Sequence, residues 1–99
     1  MPGVYTVTQM NSYIKNMFRQ DFVLSRISVK GEVSNCKYHT SGHIYFSLKD
    51  GQGVMSAIMF AGSAKNLEFR LENGMQVIVS GRIDVYERDG KYQLYANAI

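Results

Sequence analysis

The sequence predicts an all-β fold with accessory helices, in which one helix precedes a single five-stranded barrel. Three observations support this prediction. Apolar residues recur at helical spacing near the start of the chain, over residues 9–19. From residue 26 onwards they alternate with polar residues, as in half-buried strands. Turns that contain glycine divide this alternating region into short segments.

The composition limits the chain to one domain. Its 99 residues, 45% of them hydrophobic, are enough for one core. The single cysteine, Cys36, has no partner for an internal disulfide, and no apolar run is long enough to cross a bilayer. No signal peptide is recognisable. We therefore expect a cytoplasmic protein with one domain over residues 1–99, its barrel beginning near residue 25.

The helix is predicted over residues 9–19. One of its faces is apolar, with members at i, i+3, i+4, i+7 and i+8: Met10, Tyr13, Ile14, Met17 and Phe18. We expect four of them, Tyr13, Ile14, Met17 and Phe18, to pack against the strands. Thr8 is the expected N-cap, because its hydroxyl can accept a hydrogen bond from a free amide of the first turn. Three positions further stands Asn11, so no capping box is expected.

Five strands are predicted after the helix. The first begins near Arg26 and contains Gly31, which suits a bulge or a sharp bend. The other strands are predicted over residues 43–49, 54–60, 75–86 and 91–99. A short helix or helical turn is expected between strands three and four, at residues 61–70. A long bent first strand, with a helix before the last hairpin, is typical of an OB-fold barrel. An SH3-like barrel is the alternative, but it offers no natural place for residues 61–70.

No catalytic or metal-binding arrangement is apparent. Cys36, His39 and His43 are close enough in sequence to suggest zinc, but a structural site needs four ligands. The chain has no second cysteine and no third histidine. The glycines at 51 and 53 lack the third glycine and the following helix of a dinucleotide loop. No nucleophile beside a base is specified. We expect this chain alone to use no metal or cofactor and to perform no catalysis.

A nucleic-acid-binding face is predicted on strand two, whose alternation separates two sets of side chains. The inward set is apolar: Ile44, Phe46 and Leu48. The outward set is His43, Tyr45, Ser47 and Lys49. An exposed ring beside cations suits single-stranded nucleic acid, because bases stack on the ring while cations follow the phosphates. The alternative is that Tyr45 only supports a cross-strand pair. Four other aromatic residues are expected in the core: Tyr13, Phe18, Phe46 and Phe69.

The distribution of charge favours the same region. Residues 22–49 carry four Lys or Arg residues and one acidic residue, Glu32, whereas residues 50–99 carry a slight acidic excess. Lys30 and Lys37 on the first strand, with Arg82 on the fourth, complete the predicted nucleic-acid-binding set. On charge alone, an ordinary solvated surface is an equal alternative.

Several segments resemble the exodeoxyribonuclease VII large subunit. They are residues 5–11 (YTVTQMN), 29–35 (VKGEVSN), 41–50 (SGHIYFSLKD), 59–60 (MF), 73–77 (NGMQV), 85–86 (VY) and 90–94 (GKYQL). They follow one another along nearly the whole chain, and the GEVSN and SGHIYFSLKD stretches are the most specific. The chain departs from the family pattern at Cys36, where an aromatic residue is expected, and in the softer third strand with its two methionines.

The resemblance implies the N-terminal OB-fold domain of an enzyme that degrades single-stranded DNA from either end to oligonucleotides. It implies that the nuclease active site lies beyond this domain, so that the chain is a DNA-binding fragment. It also implies a small helical subunit as partner, reached through the rest of the large subunit. Residues 41–50 resemble, in addition, strand two of OB domains that bind tRNA anticodons. There an aromatic residue three positions before the leucine stacks on a base, and Tyr45 stands three before Leu48.

Two functional hypotheses follow. The first is a single-stranded-DNA-binding domain that positions DNA for degradation by the rest of the enzyme. The second is a protein-interaction module whose barrel edge or helix assembles nuclease subunits. A self-contained metal nuclease would require a cluster of carboxylates or histidines that the sequence does not supply.

Overall fold

A computed structural model describes residues 3–99. Its elements, in chain order, are α1 (Val7–Gln20), β1 (Ile27–Tyr38), β2 (Ile44–Lys49), β3 (Val54–Met59), α2 (Ala61–Ala64), β4 (Gln76–Tyr86) and β5 (Lys91–Ala98). The strands form a closed barrel in the order β1-β2-β3-β5-β4. This architecture confirms the predicted OB-fold barrel, with its N-terminal helix and its short helix between β3 and β4.

The barrel closes through one parallel pair of strands. β3 pairs with β5 in parallel at Ala57↔Leu94 and Ile58↔Tyr95, whereas every other pairing of the barrel is antiparallel. The long strand β1 contributes to two ladders, pairing with β4 through its first half and with β2 through its second. Its register shifts beyond Ser34, next to the positive φ of 50° at Asn35. This irregularity follows Gly31, the predicted position, by several residues.

The core confirms the predicted alternation of the strands. Its buried members are Val33, Ile44, Phe46, Leu48, Ala57, Met59, Leu71, Val79, Ile83, Leu94 and Ala96. The inward set predicted on β2 is therefore buried as expected. Phe69 was predicted in the core and is exposed instead. It lies in an irregular segment after α2, where neither helical nor strand periodicity decides which way a side chain points.

The start of α1 differs from the prediction. Thr6, not Thr8, is the N-cap, and its side-chain oxygen accepts a hydrogen bond from the Gln9 backbone N–H at 3.0 Å. The Gln9 side-chain oxygen accepts in return from the Thr6 N–H at 2.9 Å. A full capping box is thus present, contrary to expectation. Both threonines are plausible caps by residue type, and the glutamine three residues after Thr6 distinguishes them.

The packing of α1 also differs from the prediction. Of its five apolar residues only Phe18 packs against the core, with its ring centroid 6.3 Å from that of Tyr92. The other four are between 38% and 64% exposed: Met10, Tyr13, Ile14 and Met17. The helix is attached to the barrel through polar contacts instead. Asn11 donates to the Glu87 carbonyl oxygen at 3.0 Å, and Lys15 donates to that of Val85 at 2.7 Å.

Gly81 allows β4 and β5 to approach where their register shifts. A Cβ at this position would overlap the backbone carbonyl of Tyr95. We expect Gly81→Ala to cost about 3 kcal/mol or more of unfolding free energy, because the backbone must move to admit the methyl group. Urea denaturation measures this cost. Gly51→Ala is the matched control, since a Cβ there would meet no atom within 4 Å. Equal stability of the two variants would contradict the close approach.

Candidate nucleic-acid interface

Barrel closure places five outward-facing residues in one row across all five strands. Successive cross-strand pairs define it: Lys37↔Tyr45, Tyr45↔Ile58, Ile58↔Tyr95 and Arg82↔Tyr95. We call these five residues the transverse row. It runs perpendicular to the strands, with a cation at each end and two tyrosines between them. Such a row offers rings for bases and cations for phosphates along one line.

The centre of the transverse row is apolar. Tyr45 points outward as predicted and is 43% exposed, so its ring is accessible. Ile58 shares this outer face but is only 5% exposed, although it lies outside the inner core cluster. The larger side chains around Ile58 therefore cover it. Ile58 thus provides a well-packed apolar surface between the two tyrosine rings.

Phe60 and Arg82 extend the aromatic surface around Tyr95. The Phe60 and Tyr95 rings stack with centroids 5.8 Å apart and an interplanar angle of 29°. The Arg82 guanidinium carbon lies over the Tyr95 ring, 4.6 Å from its centroid. The Tyr95 hydroxyl accepts a hydrogen bond from the Gln93 side-chain amide at 2.9 Å. Together these contacts fix the orientation of the Tyr95 ring.

Two histidines stand edge-on to Tyr45. The His39 and His43 rings lie 6.2 Å and 6.5 Å from it, each at 75°. His43 Nδ1 accepts a hydrogen bond from the Ala61 N–H at 2.8 Å, and His39 Nδ1 accepts from the Ser41 N–H at 3.1 Å. A backbone amide can only donate, so each Nδ1 is unprotonated and each Nε2 carries the hydrogen. The two rings therefore offer neutral N–H donors beside Tyr45.

Asp84 fixes the position of Arg82. This carboxylate is only 3% exposed, and its Oδ2 accepts from Arg82 Nη1 at 2.8 Å. The same oxygen lies 3.5 Å from Arg19 Nε and 3.7 Å from Lys15 Nζ of α1. Oδ1 accepts from the Val85 N–H at 2.8 Å. One buried carboxylate thus connects the helix to the arginine end of the transverse row.

These contacts keep Asp84 ionised. Burial alone would raise the pKa of its carboxyl group, but the Val85 hydrogen bond and the charges of Lys15 and Arg19 outweigh this effect. The pKa therefore lies below its ordinary value. A charged Asp84 neutralises part of the positive charge at this edge of the barrel while it orients Arg82.

The structure brings some of the predicted residues together and separates others. Lys37, His43, Tyr45 and Arg82 lie on or beside the transverse row. Ser47 is half-buried on the outer face of β2, two positions from Tyr45 and paired with Ser34 and Ser56.

The other two predicted cations lie away from the transverse row, Lys49 at the end of β2 and Lys30 on β1. Lys30 and Lys49 line an open pocket together with the acidic residues Glu32 and Asp50. Lys49 Nζ is 3.5 Å from a Glu32 carboxylate oxygen. This ion pair reduces the positive charge that Lys49 offers to a phosphate.

Sequence reasoning missed Tyr95, Phe60 and His39. Alternation on β5 could have indicated Tyr95, because its neighbours Leu94 and Ala96 are buried. Its place next to Ile58 depends on the parallel pairing of β3 with β5, which alternation does not predict. Phe60 follows the end of β3 and stacks only through tertiary structure.

Cys36 contacts the segment that follows α2. Its thiol donates to the Leu71 carbonyl oxygen at 3.5 Å. Burial raises the pKa of the Cys36 thiol, despite the opposing charge of Arg70, whereas metal binding requires a thiolate. Across residues 3–99, the His, Cys, Asp and Glu side chains form no group of three that could hold a metal ion. Within the same residues no helix is both long and apolar enough to span a membrane.

A closed five-stranded barrel with this face defines a class of nucleic-acid-binding domain. The family described as "OB-fold nucleic acid binding domain" matches residues 5–99, and the chain belongs to it. Within that class the chain is similar over its whole length to exodeoxyribonuclease 7 large subunits.

Two of these relatives illustrate the similarity. The protein from Lachnoclostridium phytofermentans is 68% identical over 99 residues, which are all of this chain and 25% of the relative. That from Clostridium botulinum strain Okra is 55% identical over 94 residues, 95% of this chain and 23% of the relative. The chain thus spans about a quarter of the length of the curated relatives it matches.

Solved structures share the fold at low sequence identity. Asparaginyl-tRNA synthetase from Pyrococcus horikoshii superposes with a TM-score of 0.55 at 20% identity, covering 73% of this chain and 18% of that one. A replication protein A heterotrimer bound to single-stranded DNA gives a TM-score of 0.57 at 18% identity, covering 74% and 53%. At these identities both likenesses show the fold alone.

The low pKa of Asp84 predicts how acid affects stability. A carboxyl group with a lower pKa in the folded chain stabilises it above the unfolded pKa of about 3.9, and this contribution is lost as the pH falls through the folded value. Asp84→Asn should cost about 1–3 kcal/mol near pH 7, because a neutral amide replaces the carboxylate that three cations contact. It should also weaken the loss of stability below about pH 4.

Urea unfolding over a pH series measures both effects. Asp89→Asn is the control, since Asp89 lies exposed in the β4–β5 turn. An acid dependence of Asp84→Asn identical to that of the wild type would contradict this role.

Proposed function

We propose that the chain binds single-stranded DNA along the transverse row, as the nucleic-acid-binding domain of an exodeoxyribonuclease VII large subunit. The row itself is the observation that carries the proposal. Bases would stack on Tyr45 and on the Phe60–Tyr95 pair, and the phosphates would pass near Lys37 and Arg82. Cleavage to oligonucleotides, and contact with the small subunit, would belong to the rest of the large subunit. The predicted cytoplasmic location stays a prediction.

The geometry favours single strands over duplex DNA. Stacking needs an accessible base face, and the bases of a duplex already stack on one another. The Tyr45 ring is exposed. Its neighbour Ile58 is covered by surrounding side chains, and Tyr95 is held by the hydrogen bond from Gln93. A preorganised apolar surface of this kind spends little conformational entropy on binding.

The edge-on histidines suit the same ligand. Neutral Nε2–H groups beside Tyr45 can donate to base or phosphate oxygens without adding charge. His43, Lys37, Tyr45 and Arg82 therefore remain the central members of the proposed site, joined by His39, Phe60 and Tyr95. Ser47, Lys30 and Lys49 are proposed to contact DNA only where the strand continues along β2.

The alternative function, a protein-interaction module without DNA binding, rests on the exposed apolar side of α1. The two functions use different surfaces and differ in their response to salt. Phosphate contacts release counterions, so DNA affinity falls steeply as salt rises, whereas burial of apolar surface does not weaken in this way.

Tyr45→Ala should weaken single-stranded DNA binding by about 5- to 150-fold, because stacking on one ring is worth about 1–3 kcal/mol. Tyr45→Phe should bind almost normally, since the face of the ring carries the contact. Fluorescence-anisotropy titration with a labelled oligothymidylate measures both affinities. Phe46→Ala is the structural comparison, because this buried ring should cost about 3–5 kcal/mol of stability. If Tyr45→Ala binds as well as the wild type, the proposed stacking is wrong.

The charge at the end of the row has its own prediction. Lys37→Glu should weaken single-stranded DNA binding, and it should reduce the log–log salt slope by about 0.7 for each phosphate that the variant no longer touches. Lys65→Glu makes the same charge change on the exposed segment after α2 and should do far less. Titrations at two salt concentrations, with single-stranded and duplex DNA, measure these effects. Equal weakening in both variants would indicate a diffuse charge effect without a defined site.

A further inference from the structure

We propose that the exposed apolar side of α1 is a docking surface for the longer polypeptide of which this domain forms part in its family. We call this surface the α1 apolar face and define it as Met10, Tyr13, Ile14 and Met17. The inference is independent of DNA binding, since it concerns another surface and its test uses no nucleic acid.

The α1 apolar face is unlike an ordinary solvated helix surface. The charged residues of α1 are Lys15 and Arg19, and both are directed to Asp84 on the barrel. The four residues of the α1 apolar face are themselves uncharged, and the exposed Arg19 is turned toward Asp84 at the end of the helix. Contiguous apolar patches of this kind mark surfaces that become buried in a larger assembly.

The barrel does not need this face for its own packing. Phe18 alone of the apolar residues of α1 contacts the core, and polar groups attach the rest of the helix. A helix docked through Asn11 and Lys15 could have carried polar residues on its other sides at no cost to the barrel. The presence of four large apolar residues on the side that does not contact the barrel is explained if this side contacts another part of the protein.

The length of the relatives identifies the occupant. The similar large subunits described above are about four times as long as this chain. A covalently attached segment acts at an effective concentration in the millimolar range, far above that of a separate molecule. The α1 apolar face also carries no charged residue, so it suits an apolar segment of that polypeptide more than a charged partner.

A polypeptide that continued from Ile99 would be able to reach α1. Phe18 packs against Tyr92 of β5. Tyr92 lies seven residues before Ile99, and β5 continues as far as Ala98. This stretch of strand spans roughly 23 Å. A return over the same distance needs about seven to ten extended residues, a small part of the additional chain that the relatives have.

Hydroxyl-radical footprinting tests the proposal, because methionine and tyrosine side chains react readily when exposed to solvent. The 99-residue chain is compared with a chimaeric large subunit in which it replaces the matching residues of the Lachnoclostridium phytofermentans relative. We expect Met10, Tyr13 and Met17 to be modified at least about fivefold more slowly in the chimaera, since oxidation follows exposure. Exposed Tyr45 should react equally in both proteins, and buried Met59 slowly in both.

A pair of variants sharpens the test. In the chimaera, Ile14→Asp should restore fast oxidation of Met17, because a carboxylate opposes burial of the apolar face. Asn16→Asp introduces the same charge at an exposed polar position of α1 and should leave Met17 protected. Fast oxidation of Met17 in both variants would indicate general destabilisation of the helix and would count against a specific contact.

Three other outcomes would overturn the proposal. Protection in the 99-residue chain that grows with its concentration would assign the surface to a second copy. Protection in the chimaera only after the small subunit is added would assign the surface to that subunit. Fast oxidation under all conditions would leave the α1 apolar face solvated.

Discussion

The short parallel ladder between β3 and β5 is the contact on which the candidate site depends. Its two residue pairs, Ala57↔Leu94 and Ile58↔Tyr95, close the barrel and place inner and outer residues side by side. The first pair lies in the core, and the second lies in the transverse row. Because the same ladder orders both faces, packing inside the barrel determines how far the tyrosine rings stand apart outside it. An open sheet with the same strands would leave Tyr95 away from Tyr45.

The buried carboxylate of Asp84 is a second contact that positions several parts of the structure. It contacts Arg82, which lies over the Tyr95 ring, and the two cations of α1, so one group serves the candidate site and the attachment of the helix. This attachment through charge explains how α1 can leave its apolar face free. The helix is positioned by polar contacts and by one aromatic ring, and the remaining apolar residues are available to a second surface.

Sequence reasoning correctly predicted features that follow from the spacing of apolar residues within one element. It failed where contacts between distant elements determine which side chains are buried. Alternation on β2 correctly turned Tyr45 outward and Phe46 inward, because a half-buried strand has only two faces. Helical period correctly located α1 but could not tell what covers its apolar side, which is why Met17 was wrongly placed against the barrel. That Lys37 and Arg82 lie at the two ends of one row could also not be predicted without the closed topology of the barrel.

Binding of single-stranded DNA along the transverse row can be tested residue by residue. A nitrogen–proton correlation spectrum of the labelled chain, recorded during titration with a short oligothymidylate, reports every backbone amide separately. We expect the largest shifts at Tyr45, Ile58 and Tyr95 and at the adjoining loop with His39, and little change along α1. Shifts confined to α1, or to the pocket of Lys30 and Lys49 at the far end of β2, would contradict binding at the row.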